Sequence, residues 1–359
     1  MINSLTALRF VFALMVFLLH ICNSRIAMHF DSQTQWLAIN IFKEGYIGVG
    51  FFFILSGFIM AYTYKDKFVK KRITKINFWV LRFARIYPLH LLTLFASIPL
   101  LMLWNFNMND MMGLPFAVNF YLLQAYILPE GNWFWSFNSV SWSISNEAFF
   151  YLLFPAIIFL LTKNLKFFII AVLFACAIIP ILMYETLETG FRPEWFYIHP
   201  VFRLVDFLVG ILLFEIYIKL QRSKALKFMT LLELFSLMIF FCFFIFHNSI
   251  NAIYRFSCYY WLPISFIILV FSLQRGYISR LLSNKYMLYF GKISYGFYMF
   301  HALIIEYFIK MNQTYIVFSN YYLFVLFLFG FSILVSSVSY YYFEQPVNSY
   351  LVRKFVKKG

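Results

Sequence analysis

Charged side chains are scarce in this sequence of 359 residues. They make up 12% of the chain, against roughly 25% in soluble domains. Hydrophobic residues account for 63% and aromatic residues for 24%. Because this composition excludes an ordinary soluble domain, the sequence predicts an all-α, polytopic membrane protein.

The sequence also lacks the features that indicate a metal centre or a second domain. Its four cysteines stand singly in or beside apolar segments: Cys22, Cys176, Cys242 and Cys258. This spacing suits no metal, so we predict no metal site and interpret the cysteines as small core residues. No Gly/Ser-rich linker interrupts the chain. We therefore predict one transmembrane domain over residues 1–348 and a short basic cytoplasmic tail over residues 349–359.

The first apolar segment does not resemble a cleaved signal peptide. It has no basic start and no small-residue cleavage site, and it contains Arg9 and His20. A signal peptide would show the first two features and would avoid the charged residue. We expect this segment to remain in the mature protein.

Ten apolar segments can be separated at polar interruptions, and each is near the 20 residues that a spanning helix needs. They are residues 4–22, 46–64, 78–104, 140–162, 167–184, 200–218, 228–247, 256–273, 287–309 and 322–343. The connection over residues 105–139 is apolar but too short for a clean span. We predict that it is re-entrant or interfacial, because counting it as a span would invert the later topology.

The net charge of +15 is distributed unevenly along the chain. Cations concentrate in alternate connections: Lys65, Lys67, Lys70, Lys71, Arg72, Lys75, Lys163, Lys166, Lys219, Arg222, Lys224, Lys227, Arg275, Arg280, Lys285, Arg353, Lys354, Lys357 and Lys358. The other connections hold only Arg25, Lys43, Arg192 and Lys310. The positive-inside rule therefore predicts that both termini are cytoplasmic. Topology explains the basic charge, so no nucleic-acid partner is predicted.

Arg9 and His20 are the unusual residues of the first span. Eleven residues at about 100° each make three turns plus roughly 20°, so both side chains lie on one stripe, about 16 Å apart along the axis. Imidazole is suited to act as a general base near neutral pH. The alternatives are a histidine bonded to a neighbouring helix and an arginine that extends to the inner interface. Arg9 in lipid otherwise indicates an anion or a water-filled cavity.

Arg82 and Arg85 are three residues apart and share one face at the start of the third span. Guanidinium groups bind phosphates in a bidentate manner, so this pair is suited to a phosphate-rich cosubstrate entering from the cytoplasm. The alternative is ordinary positive-inside anchoring. Spacing alone does not separate the two interpretations.

Other polar residues in the spans have both functional and structural interpretations. Glu147 is a possible catalytic residue or part of the polar start of a helix, and Glu344 could pair with an arginine. Arg203 and Asp206 could simply neutralise each other. Ser56 and Gly57 favour close helix packing. A substrate path or helix-to-helix bonding could explain the remaining set: Ser294, Tyr298 and His301.

Six short motifs follow one another along the chain. They are Arg9 and His20 with ten residues between them, Arg82-x-x-Arg85-Ile86-Tyr87-Pro88, the run Ser141–Leu152, Arg203-x-x-Asp206-Phe207-x-x-Gly210, the run Gly291–His301, and Glu344-Gln345-Pro346. Together, and in this order, they resemble the acyltransferase-3 family. These are integral-membrane sugar O-acyltransferases of bacteria and some eukaryotes, and the similarity extends over essentially the whole chain.

The resemblance implies transfer of an acyl group, usually acetyl, from a coenzyme A thioester to a hydroxyl of a cell-envelope glycan or lipid-linked sugar. His20 would be the catalytic histidine, Arg9 its partner, and Arg82 and Arg85 part of the acyl-donor site. Because Arg9 is about 16 Å from His20 along the helix, we expect Arg9 to act on the donor side rather than to orient the imidazole directly. Tyr295 matches a family position. An acyl-histidine intermediate is a variant of this mechanism.

The resemblance also implies a location and partners. We expect the bacterial cytoplasmic membrane, acetyl-coenzyme A as cosubstrate, no permanently bound cofactor, and glycan-assembly proteins as possible partners. Some family members relay the acyl group to a fused hydrolase-like domain. We expect transfer here to go directly to the acceptor or to a separate protein. The rival hypothesis is a transporter or flippase for a lipid-linked sugar.

Overall fold

A computed structural model describes residues 2–127, 133–187, 194–222, 228–315 and 317–356. These residues form helices joined by turns and contain no strand. The prediction of an all-α fold is confirmed. The α-helices are α1 Asn3–Asn23, α2 Ser32–Asn40, α3 Ile47–Val69, α4 Lys75–Leu103, α5 Met108–Met111, α6 Leu114–Phe120, α7 Trp142–Lys163, α8 Leu165–Thr186, α9 Glu194–Ile198, α10 Pro200–Arg222, α11 Met229–Ile245, α12 Ala252–Arg255, α13 Trp261–Ser272, α14 Tyr277–Leu282, α15 Lys285–Tyr315, α16 Tyr321–Ser339 and α17 Gln345–Phe355.

Within the described part of the chain, seven helical segments are long and apolar enough to cross a membrane. They are Asn3–Asn23, Ser32–Val69, Lys75–Leu103, Trp142–Lys163, Leu165–Thr186, Met229–Ser249 and Tyr321–Phe355. The protein is therefore a multi-pass membrane protein. Three further predicted spans coincide with α10, α13 and α15, so the total of ten stays a prediction.

Some residues used in the topology prediction lie outside the described ranges: Arg192, Lys224, Lys227, Lys357 and Lys358. The predicted tail over residues 349–359 begins inside α17 rather than after the last helix. A π-helical turn, Tyr340–Glu344, connects α16 to α17.

Several helices begin where a short polar side chain accepts the first free backbone N–H groups. The Thr74 hydroxyl accepts from the amide of Asn77 at 3.1 Å, and Asn164 accepts from the amide of Phe167 at 3.0 Å. Asp31 caps α2 and also accepts a hydrogen bond from the hydroxyl of Tyr322. Hydrogen bonds from Tyr322 and Thr34 lower the pKa of Asp31 to about 2. These caps satisfy N–H groups that a helix leaves free at its start.

Helix α1 is enclosed by its neighbours and packs closely against α3 and α15. Two glycines allow this approach. A Cβ on Gly291 of α15 would lie 2.0 Å from the Thr6 carbonyl oxygen, and one on Gly48 of α3 would lie 2.6 Å from the Phe12 carbonyl oxygen. Small residues let membrane helices approach backbone to backbone. The helix that carries Arg9 and His20 is thereby fixed in the centre of the bundle.

The segment before α7 enters the bundle instead of following its surface. The Asn138 amide donates to the carbonyl of Met299 at 2.9 Å, and Met299 is near the middle of α15. Gln124 donates to the carbonyl of Ser141 at 3.0 Å and is fully buried. Helices α5 and α6 are too short to span a membrane. The geometry agrees with the re-entrant interpretation, and part of the segment, residues 128–132, lies outside the described ranges.

Candidate active site

Three arginines from two helices line one cavity in the bundle. Arg9 comes from α1, and Arg82 and Arg85 come from α4; the cavity measures about 300 Å³. Glu147 of α7 and Tyr295 of α15 also line it. Residues that are far apart in the sequence therefore face one space that is large enough for part of a ligand.

None of the three guanidinium groups forms an ion pair with a described residue. Within the described residues, no carboxylate oxygen lies within 4.0 Å of Arg9, Arg82 or Arg85. Aromatic rings contact two of them instead. Arg82 lies 5.3 Å from the ring of Tyr64, and Arg85 lies 5.8 Å from the ring of Tyr295. Arg82 also donates to the Met60 sulfur, a weak acceptor, at 3.7 Å. Because the other N–H donors of Arg82 and Arg85 have no such partner among the described residues, the cavity is suited to bind an anion.

Glu147 faces the same cavity but does not cap its helix. Helix α7 starts after Ser141, whose side chain makes no cap hydrogen bond. Glu147 lies in the second turn and accepts a hydrogen bond of 2.8 Å from the hydroxyl of Tyr151. The neighbouring Asn146 donates to the carbonyl of Ile198 at 2.8 Å. The structure thus places the carboxylate of Glu147 at the cavity wall, not in the capping role that its sequence context allows.

A narrower cavity continues from the first one. It measures about 50 Å³ and shares Arg9, Glu147 and Tyr295 with the larger cavity. Ser294 and Tyr298 line its far part. Ser294, Tyr295 and Tyr298 therefore line one cavity together with Arg9, as the substrate-path hypothesis expects.

Phe52 and Tyr298 both line the narrow cavity, and Phe52 lines the larger cavity as well. Their rings are 5.9 Å apart in an edge-to-face arrangement, and the Tyr298 hydroxyl donates to the Ser143 hydroxyl at 2.9 Å. The ring of His301 lies 5.9 Å beyond that of Tyr298. Neither His20 nor His301 lines either cavity, and Tyr298 is a lining residue whose ring contacts that of His301.

His20 and His301 form a pair across α1 and α15. The Nδ1 atom of His20 lies 3.1 Å from Nε2 of His301 and 2.8 Å from the carbonyl oxygen of Val16. His301 is fully buried and lines neither cavity. The substrate-path hypothesis placed His301 with Ser294 and Tyr298, whereas the structure pairs it with the predicted catalytic histidine.

Glu344 is separate from the arginine cavity. It lines a polar depression with Arg85 and accepts a hydrogen bond of 3.4 Å from Ser339. Within the described residues no arginine forms an ion pair with it. Arg85 lines both spaces and so lies between them.

Arg203 and Asp206 form a buried ion pair away from both cavities. Their side chains are 2.7 Å apart, and less than 3% of either is exposed. Arg203 also donates to the carbonyl of Phe256 at 2.7 Å, and the Trp261 indole N–H donates to Asp206. The structure agrees with the mutual neutralisation that the spacing suggests.

Four polar residues of the larger cavity were not among the predicted site residues: Ser56, Thr63, Tyr64 and Tyr151. Tyr151 follows Glu147 by four residues and so shares its helix face, which is a signal that the sequence offers. The Ser56 hydroxyl lies 3.4 Å from that of Tyr151. Gly57 next to it provides close packing, because a Cβ there would lie 1.9 Å from the Phe207 carbonyl oxygen. No local pattern marks Tyr64.

The sequence model of an acyltransferase domain family matches residues 2–341 of the chain. The chain belongs to the acyltransferase-3 family. This agrees with the resemblance seen in the six motifs. No solved structure matches this family member.

Three relatives of this acyltransferase-3 family member illustrate the similarity. An acyltransferase of Streptomyces mycarofaciens is 37% identical over 42% of the chain and 38% of its own length. A protein named as an O-acetyltransferase in Staphylococcus aureus is 25% identical over 87% of the chain and 53% of its own length. A peptidoglycan O-acetyltransferase of Listeria monocytogenes is 24% identical over 73% of the chain and 45% of its own length. The alignments thus cover about two fifths to one half of these relatives.

Proposed function

We propose that this chain transfers an acyl group from acyl-coenzyme A to a hydroxyl of a cell-envelope glycan or its lipid-linked precursor. The observation that carries the proposal is the cavity in which, among the described residues, no carboxylate oxygen lies within 4.0 Å of Arg9, Arg82 or Arg85. Cations in a membrane bundle face an anion or water, and guanidinium groups match phosphate oxygens. The names of the relatives support acyl transfer, and one of them names a glycan as acceptor.

The shape of the site is suited to a coenzyme A thioester. Such a donor carries its phosphates at one end of a long flexible arm and its acyl group at the other. Arg9 and His20 lie on one stripe about 16 Å apart along α1. Glu147 leaves a net positive charge on the cavity, because one carboxylate faces three guanidinium groups. We place the phosphates at the arginines and the thioester toward His20.

The chemistry requires a base for the acceptor hydroxyl. In this proposal His20 takes the hydroxyl proton while the sugar oxygen attacks the thioester carbonyl carbon. The tetrahedral intermediate then collapses as its carbon–sulfur bond breaks. The departing coenzyme A thiolate takes the proton back from the imidazolium. The products are the sugar ester and free coenzyme A, and the histidine returns to its neutral form.

The test uses the full chain in lipid nanodiscs with labelled acetyl-coenzyme A and candidate glycans. We expect His20→Ala to reduce thiol release and ester formation by about 100-fold or more, because a general base contributes roughly 10² to 10⁴. Arg82→Gln and Arg85→Gln should each raise the donor KM by roughly 10- to 100-fold, the value of a hydrogen bond to a charged group.

Lys70→Gln is the matched control for charge removal. Lys70 is exposed and 3.7 Å from Asp66, so its loss should leave donor KM unchanged. Full turnover by His20→Ala would contradict the mechanism. Movement of a lipid-linked sugar across the membrane without thiol release would favour the carrier hypothesis instead.

A further inference from the structure

His301 lines neither the larger nor the narrow cavity, yet it makes a specific polar contact with another helix. Its side chain is completely buried in the middle of α15. Nδ1 lies 3.1 Å from the carbonyl oxygen of Phe297, four residues earlier in the same helix. Nε2 lies 3.1 Å from Nδ1 of His20 on α1. Both ring nitrogens of His301 are therefore engaged, and one of them contacts the proposed base.

The carbonyl partners decide which nitrogen carries the proton in each neutral ring. A carbonyl oxygen only accepts, so the Nδ1 atom beside it must carry the hydrogen. This applies to His301 at Phe297 and to His20 at Val16, where the distance is 2.8 Å. Nε2 of His301 is then an acceptor, and the Nδ1–H of His20 lies between Val16 and His301. Nε2 of His20 keeps its lone pair.

The same arrangement leaves the reactive nitrogen of His20 available. Within the described residues, Nε2 of His20 has no hydrogen-bond partner. In the part of the chain that the structure describes, no carboxylate oxygen lies within 4.0 Å of a ring nitrogen of either histidine. In many hydrolases a carboxylate holds the Nδ1–H of the base and so fixes its tautomer. Here a neutral imidazole occupies that position.

We infer that His301 is a positioning residue: it accepts from the Nδ1–H of His20, whose tautomer the Val16 carbonyl sets, and so fixes the orientation in which Nε2 of His20 meets the acceptor hydroxyl. This inference rests on the proposed function. When Nε2 takes the hydroxyl proton, the Nδ1–H of His20 still has the lone pair of His301 to contact. The proton returns from Nε2 to the leaving thiolate, so His301 changes its protonation at no step.

Packing keeps the second imidazole in place. The rings of Phe297 and Phe17 lie 6.0 Å and 6.2 Å from that of His301. The close contact of Gly291 with Thr6 holds α15 against α1 in the same pair of helices. A histidine that served only to fill the core would need its bond to Phe297 and no contact to α1. The inter-helix contact distinguishes positioning from simple burial.

The experiment measures kcat and donor KM for thiol release by His301→Ala and His301→Gln in nanodiscs with acetyl-coenzyme A and the glycan acceptor. Loss of a partner that orients a metal-bound histidine typically costs roughly 10- to 100-fold in activity, and we expect the same scale for a partner that orients a histidine base. We expect His301→Ala to lower kcat by about that factor with donor KM within about twofold. His301→Gln should recover part of kcat, because its amide oxygen can accept from His20.

A double variant separates this inference from a structural role. If His301 acts through His20, adding His301→Ala to His20→Ala should not reduce the residual rate further. An equal loss of rate in the unsubstituted protein and in His20→Ala would overturn the inference, as would a wild-type kcat in His301→Ala.

His90→Gln on α4 is the matched control, since His90 is also fully buried but its ring contacts the carbonyl oxygen of Asn119 at 2.8 Å. If His301→Ala fails to fold, the folded His301→Gln variant decides. A kcat for His301→Gln about 10- to 100-fold below that of the unsubstituted protein overturns the inference. A kcat close to that of the unsubstituted protein supports it. Full activity of His20→Ala would instead reject the proposed function.

Discussion

The buried ion pair of Arg203 and Asp206 allows a quantitative test of whether these two charges serve stability or activity. Removing one partner of a buried pair leaves an uncompensated charge and costs about 3–5 kcal/mol, whereas replacing both can be nearly neutral. Arg203→Met keeps the apolar stem of the side chain. Asp206→Asn keeps an oxygen that can accept from Trp261. Each single variant should therefore lose about 3–5 kcal/mol of unfolding free energy.

The double variant should be more stable than either single variant. It contains no buried charge, and its main loss is the hydrogen bond to the Phe256 carbonyl, which leaves one acceptor unsatisfied at a cost of about 1–3 kcal/mol. The assay is reversible unfolding in detergent followed by circular dichroism, with all four proteins in one cycle. Additive losses would refute the reasoning. Donor KM should be unchanged in the folded double variant, because the pair lines neither cavity.

Two further predictions follow from the packing. Gly57→Ala should lower the unfolding free energy by about 1–3 kcal/mol or more, because its Cβ would meet the Phe207 carbonyl oxygen; Gly330→Ala, with open space around it, should not be destabilised. Equal effects of the two changes on thermal unfolding would contradict this. Phe52→Ala should enlarge the narrow cavity and raise kcat/KM for propionyl- relative to acetyl-coenzyme A by roughly 10- to 200-fold, the usual range for a difference of one methylene in a pocket. An unchanged ratio would remove Phe52 from acyl selection.

The placement of Glu147 shows why the sequence prediction of the site was incomplete. Its neighbours Ser143, Ser145 and Asn146 look like the polar start of a helix. The helix does start there, but the preceding segment enters the bundle and is anchored by Asn138 at Met299. The depth of a helix start depends on this long-range contact. A local pattern contains no information about it, so the sequence could not place Glu147 beside Arg9.

The histidines also show that helix spacing does not predict contacts between helices. The eleven-residue spacing was enough to predict that Arg9 and His20 share a stripe, because helix geometry alone determines it. The spacing of Ser294, Tyr298 and His301 correctly predicted a shared face of α15. The spacing did not show that Ser294 and Tyr298 line the narrow cavity whereas His301 contacts His20. That difference depends on how α1 and α15 cross at Gly291 and Thr6.

Composition and periodicity by themselves determined that this chain is a helical membrane protein, and the motif order indicated its family. These properties follow from the cost of exposing polar groups to lipid and from the fixed turn of a helix. Only the tertiary structure brought Arg9, Arg82 and Arg85 to one cavity with a single carboxylate, that of Glu147, and paired His20 with His301. Such convergence depends on helix crossings and on a re-entrant segment, which are set by contacts between residues distant in the chain.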